Sequence, residues 1–154
     1  MSFFFLDTSA LIKHYVAEAG SQWLETTIFE PSENVLLISR ITVVEMRSAL
    51  ARRKREASIQ PQDHADALTA LSEDCLIRYR FVEFEAPVVD LAGELLDRYV
   101  LRAYDAVQLA SALVINRLLI DANLAPLVFA SADNNLLAAA QAAGLQIDNP
   151  NLHA

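Results

Sequence analysis

Cysteine is nearly absent: Cys75 is the single one among 154 residues. It has no partner for an intrachain disulfide, so a stapled secreted scaffold is excluded and a reducing cytoplasmic setting is expected. Three glycines and five prolines are too few for a collagen-like or low-complexity chain. The histidines, His14, His64 and His153, are widely separated and make no zinc-type spacing. No uncharged run exceeds 14 residues, Asn134 to Ile147, whereas a bilayer span needs about 20. No membrane association is expected. The apolar start Phe3-Phe4-Phe5-Leu6 lacks the basic lead of a signal peptide, and Asp7 ends it early. Positive charge is also scarce: 12 Lys and Arg stand against 20 Asp and Glu, a net charge of −8. That balance argues against broad attraction to nucleic acid. Much of the basic charge lies in one stretch, Arg47, Arg52, Arg53, Lys54 and Arg55, whose simplest reading is a solvated helix face.

The chain is otherwise rich in core material. It is 54% hydrophobic and 21% charged, which excludes intrinsic disorder. A chain of this length buries roughly 70% of its extended surface and fits one domain over residues 1–154. Short wholly apolar runs alternate with helical patterns. Strands are expected at Phe3–Leu6, Val35–Ile38, Arg80–Phe84 and Leu127–Ala130, with a short last one at Leu145–Ile147. Helices are expected at Ser9–Ala19, Ser21–Phe29, Thr42–Ala57, Pro61–Leu76, Ala86–Tyr99, Tyr104–Ala122 and Asp133–Ala143. Apolar strands separated by helices predict a three-layer α/β/α sandwich on a parallel sheet of about five strands. Ligands of such sheets gather at the carboxyl ends of the strands.

Four acids fall near that edge. Asp7 follows the first strand and Asp133 the fourth; Glu45 lies in the helix after the second strand. Asp105 opens the long sixth helix and shares its inward face with Leu109, Ala112 and Leu113. Each acid alone reads as a helix cap or as a complement to a helix N-terminus. Thr8, Ser9 and Ser131 offer alternative caps, however, which leaves Asp7 and Asp133 free for other work. Clustered carboxylates would raise each other's pKa values unless a cation neutralised them. An all-oxygen donor set suits Mg²⁺ or Mn²⁺ rather than zinc. Such ions serve phosphodiester hydrolysis by activating water. Thr8, Ser9, Ser131 and Asn134 could hydrogen-bond the metal's waters, although capping is the simpler role for each.

Four pieces of sequence carry a resemblance: Phe5-Leu-Asp7-Thr-Ser, Ile38-Ser-Arg-Ile-Thr-Val-Val-Glu45, Leu101-Arg-Ala-Tyr-Asp105-Ala-Val-Gln-Leu-Ala and Ala130-Ser-Ala-Asp133-Asn-Asn-Leu. In this order, and over nearly the whole length, they resemble the PIN-domain ribonucleases, most closely the VapC-like toxins of toxin–antitoxin pairs. The resemblance implies a five-stranded parallel sheet and Mg²⁺- or Mn²⁺-dependent cleavage of RNA. It implies a catalytic quartet of Asp7, Glu45, Asp105 and Asp133, with Asp7 and Asp105 as the main metal ligands. It also implies a homodimer and a cognate antitoxin. In that setting Arg47, Arg52, Arg53 and Arg55 would hold RNA phosphates at the rim of the pocket.

Two other readings compete. A PIN-fold module that has lost catalysis would keep the shape and bind metal poorly. A Mg-dependent phosphatase of haloacid-dehalogenase type needs a second Asp two residues after the first, where this chain has Ser9.

Overall fold

The computed structural model describes residues 1–153. Five strands form one parallel sheet: β1 (Phe3–Leu6), β2 (Val35–Ser39), β3 (Tyr79–Val82), β4 (Val128–Ala130) and β5 (Gln146–Asp148). Their order across the sheet is β3-β2-β1-β4-β5. Chain progress reverses direction between β1 and β4, so β1 is central. The helices are α1 (Thr8–Tyr15), α2 (Ser21–Leu24), α3 (Arg40–Arg55), α4 (Pro61–Ile77), α5 (Ala86–Arg98), α6 (Ala103–Asp121) and α7 (Asn134–Ala142). The expected α/β/α sandwich is the observed one.

Alternation along the strands sorts the core into two layers. Phe3, Phe5, Leu37 and Phe129 pack with residues of α5, α6 and α7. Leu6, Leu36, Ile38, Tyr79 and Ala130 pack with residues of α1 to α4. Phe5 and Phe129, both fully buried, stack with centroids 5.7 Å apart across the central pair. Helix α6 is long and apolar enough to cross a membrane by length and composition, but half of it is buried within this fold.

Several boundaries differ from the sequence expectation. Helix α1 ends at Tyr15 rather than Ala19, because Ser21 folds the chain back. Its hydroxyl donates to the Lys13 carbonyl at 2.7 Å and accepts from the Glu18 amide at 3.0 Å. Gly20 then starts α2 at φ +84°. A Cβ there would lie 2.4 Å from the Pro150 carbonyl oxygen, in the C-terminal turn whose His153 stacks on Trp23. The helix expected over Ser21–Phe29 is one α turn followed by a π-helical turn, Glu25–Phe29. Helix α3 starts at Arg40, capped by Ser39, so Thr42 is no cap; it is fully buried. β3 begins one residue early at Tyr79 and stops at Val82, and β5 shifts one residue on to Gln146–Asp148.

Candidate active site

The register Leu6↔Ala130 brings the ends of β1 and β4 side by side, at the point where strand order reverses. The Asp7 amide donates to the Ala130 carbonyl at 3.1 Å. Asp7 therefore emerges next to Ser131, at the position where open α/β sheets bind ligands. A cavity of about 670 Å³ opens there, lined among others by Asp7, Glu45, Asp105 and Asp133. Thr8, Ser9, Arg52 and Arg53 also line it.

Asp7 is 4% exposed and fully engaged. Its Oδ1 accepts from the Ser9 hydroxyl at 2.8 Å and the Ala10 amide at 3.0 Å; its Oδ2 accepts from the Ser131 hydroxyl at 3.0 Å. Burial raises its pKa to about 7, against the lowering effect of these three donors and with a further push from Asp105. Asp105 is also raised, first by burial, then by the negative charges of Asp133 and Glu45, while Arg102 opposes. The carboxylates thus feel one another across the cavity.

The expectation that serines would relieve the acids of capping is reversed. Asp7 itself caps α1, and Asp133 caps α7 by accepting from the Asn135 and Leu136 amides at 2.9 and 3.1 Å. Ser9 and Ser131 instead support Asp7. The Ser9 hydroxyl also accepts from the Ala132 amide, and that of Ser131 from the Asp133 amide, which knits the β1 and β4 ends together. The physical reason is position: Asp7 and Asp133 are the extended residues immediately before α1 and α7, where a side-chain oxygen reaches the amides two and three residues on. Asn134 is not brought to the cavity; its Oδ1 accepts from Asn149. Arg47 and Arg55 are exposed and do not line it, whereas Arg52 and Arg53 do.

Gln108 was missed. It is 1% exposed, on the first turns of α6, and lines the cavity. Its Nε2 donates to Glu45 Oε1 at 2.7 Å and Thr42 Oγ1 at 2.8 Å, with Thr8 Oγ1 at 3.4 Å. A carboxylate only accepts, so the amide nitrogen faces Glu45. The amide oxygen is then left buried without a partner, an arrangement that costs about 1–3 kcal/mol. The available signal was a polar residue at i+3 from Asp105 on an otherwise apolar inward face.

The donor set fits a hard divalent cation: carboxylates and hydroxyls, with no His or Cys among the lining residues. Among the described residues, no three His, Cys, Asp or Glu side chains are preformed to hold an ion. Three of the acids are held in place by hydrogen bonds: Gln108 holds Glu45, the α7 amides hold Asp133, and three donors hold Asp7. Without a cation, mutual repulsion keeps the acids apart.

A parallel β3-β2-β1-β4-β5 sheet with four acids opening on one cavity at its reversal point defines the class of α/β domain, and comparison with known proteins gives its family. The PIN-domain family model matches residues 4–140, and the chain belongs to this family. Within it the chain is VapC-like. Ribonuclease VapC45 of Mycobacterium tuberculosis is 34% identical over 147 residues, covering 96% of this chain and 95% of that protein. Ribonuclease VapC49 of the same species matches equally well. Among solved structures, FitAcB from Neisseria gonorrhoeae aligns with TM-score 0.62 at 19% identity, covering 96% of this chain and 97% of that one. Mycobacterium tuberculosis VapC20, a toxin that cleaves the sarcin–ricin loop, aligns with TM-score 0.62 at 19% identity, covering 94% and 96%.

Proposed function

We propose that this chain is a divalent-metal-dependent endoribonuclease acting as the toxin of a toxin–antitoxin pair. The observation that carries the reading is that Asp7, Glu45, Asp105 and Asp133, from four separate stretches of sequence, open on one cavity. The names of the two 34%-identical relatives support RNA as the substrate. A bound Mg²⁺ or Mn²⁺ would lower the pKa of a water and offset negative charge at the phosphodiester. Asp7 and Asp105 would hold it, with Glu45 and Asp133 completing the shell directly or through water. Ser9 and Ser131 fix the Asp7 rotamer, and Gln108 fixes Glu45. Arg52 and Arg53 stand on the basic side of the cavity, suited to RNA phosphates. A cognate antitoxin is the natural partner of such a toxin. The exposed Val89, Leu96, Leu118 and Ile120 on α5 and α6 offer apolar surface for a homodimer.

Asp105→Asn tests the mechanism. Wild type should cut ribosomal RNA in Mg²⁺ or Mn²⁺ and stop in EDTA, while the variant stays folded by circular dichroism and does not cut. Cleavage by the variant at the wild-type rate would remove this reading. A non-catalytic module draws support from the lack of a preformed ligand trio. Calorimetric titration with Mn²⁺ separates the two, since a degenerate site would bind it poorly.

A further inference from the structure

A second cluster of charge shares the cavity with the acids. Lys13, at the end of α1, has a side chain only 5% exposed. Burying an ammonium in this way is costly unless it is paired. Its Nζ meets Glu18 Oε1 at 3.0 Å, and Arg53 Nη2 meets Glu18 Oε2 at 3.1 Å. Among the described residues, Glu18 is the one hydrogen-bonded partner of both cationic side chains. Lys13 therefore uses one of three donors, and Arg53 one of five. All three residues line the same cavity as the acids, with Arg52 beside them.

We propose that Lys13 and Arg53, bridged by Glu18, form a phosphodiester-binding subsite for a neighbouring backbone phosphate of a single RNA strand. The proposal rests on the ribonuclease reading and extends it. Each oxygen of Glu18 holds one cation, which is how the two non-bridging oxygens of a phosphodiester would bridge the same pair. Glu18 thus stands in for the phosphate and keeps both cations aimed. Helix geometry gives the direction of the strand. Lys13 is one turn from Ser9 along α1, about 6 Å, and Arg52 is two turns from Glu45 along α3, about 10 Å. A strand cut at the acidic end would continue along the α1–α3 groove to this basic end. The Glu18 side chain is 29% exposed and sits in the connection before α2, where it can swing aside. Its pair with Arg53 is near the surface and costs little to break, and the incoming phosphate takes over the pairing that buried Lys13 needs.

A purely structural strut would have the same contacts, and the two differ in sign. The probe is a short fluorescein-labelled oligouridylate, titrated by polarisation in an Asp105→Asn background that prevents cutting. Lys13→Met and Arg53→Met should each weaken binding roughly 3- to 10-fold. Each should reduce the slope of log affinity against log salt by about 0.7, the effect of one lost single-strand phosphate contact. Glu18→Gln should tighten binding several-fold, because it frees both cations. In chains that keep Asp105, Mn²⁺ affinity should be unchanged in all three. With Asp105 restored, Lys13→Met should raise KM with little change in kcat. Unchanged RNA binding in Lys13→Met, or weaker binding in Glu18→Gln, overturns the subsite while leaving the nuclease reading intact. A parent protein that neither binds nor cuts RNA overturns both. Preferential gain of binding to polyglutamate in Glu18→Gln would reassign the pair to an acidic protein partner and end the proposal.

Discussion

Asp7→Asn should make the metal-free protein more stable while removing its activity. Asp7 is 4% exposed, and its pKa rises from 3.8 to about 7, mainly through burial. A carboxyl whose folded pKa exceeds its unfolded one stabilises the fold fully below the unfolded value, near pH 4. That contribution is lost as pH rises to about 7. At about 1.4 kcal/mol per tenfold change in proton affinity, the ionised form above pH 7 costs up to about 4 kcal/mol. Asparagine is uncharged and caps helices about as well as aspartate. Its Oδ1 can keep the Ser9 and Ala10 donors, and its Nδ2 can donate to the Ser131 hydroxyl. Allowing for imperfect hydrogen bonding, a gain of about 2 kcal/mol at pH 8 is expected, a Tm rise of about 4–8 °C for a domain of this size. The assay is thermal unfolding in EDTA at pH 5 and pH 8. The advantage should shrink at pH 5, where Asp7 already carries its proton. Mn²⁺ at 100 times its Kd should stabilise wild type by about 2.7 kcal/mol and the variant far less. A variant no more stable than wild type at pH 8, or equally favoured at both pH values, would refute the reasoning.

Other expectations follow from the same geometry. Mn²⁺ affinity measured by calorimetry should fall as pH drops below about 7, because a proton competes with the ion for Asp7. Gln108→Leu should free Glu45 from its 2.7 Å bond and lower Mn²⁺ affinity about 10-fold, the usual size of a lost supporting contact; rescue by Gln108→Asn would count against a positioning role, since the shorter amide cannot reach. Phe129→Ala should cost about 3–5 kcal/mol in urea unfolding, because its ring is fully buried against Phe5. Gly20→Ala should destabilise the fold through the Pro150 clash and the positive φ, measured as a lowered Tm.

The sheet was legible in the sequence because β1, β2 and β4 are short apolar runs closed by a polar break, such as Phe3–Leu6 before Asp7. The acids were legible because their positions after strands are topologically defined. What those acids do locally was not. Capping depends on which side chain reaches a particular amide, and Asp7 and Asp133 took roles that the sequence offered equally to Thr8, Ser9 and Ser131. Gln108 was invisible as a functional residue because its partner Glu45 lies 63 residues away. Nothing in the residue spacing marks Lys13; only the packing of α1 against α3 buries it beside Glu18 and Arg53. The π-helical turn at Glu25–Phe29 has no signature in residue spacing.

The central position of β1 also has a bearing on synthesis. Its two neighbours are β2, met early, and β4, which begins at Val128. On a ribosome β1 waits until Val128 and its neighbours have been made before its second edge is covered, and Asp7 meets Ser131 only then. Until that point no growing chain can bring together Asp7, Glu45, Asp105 and Asp133, the four acids that line the cavity beside one another.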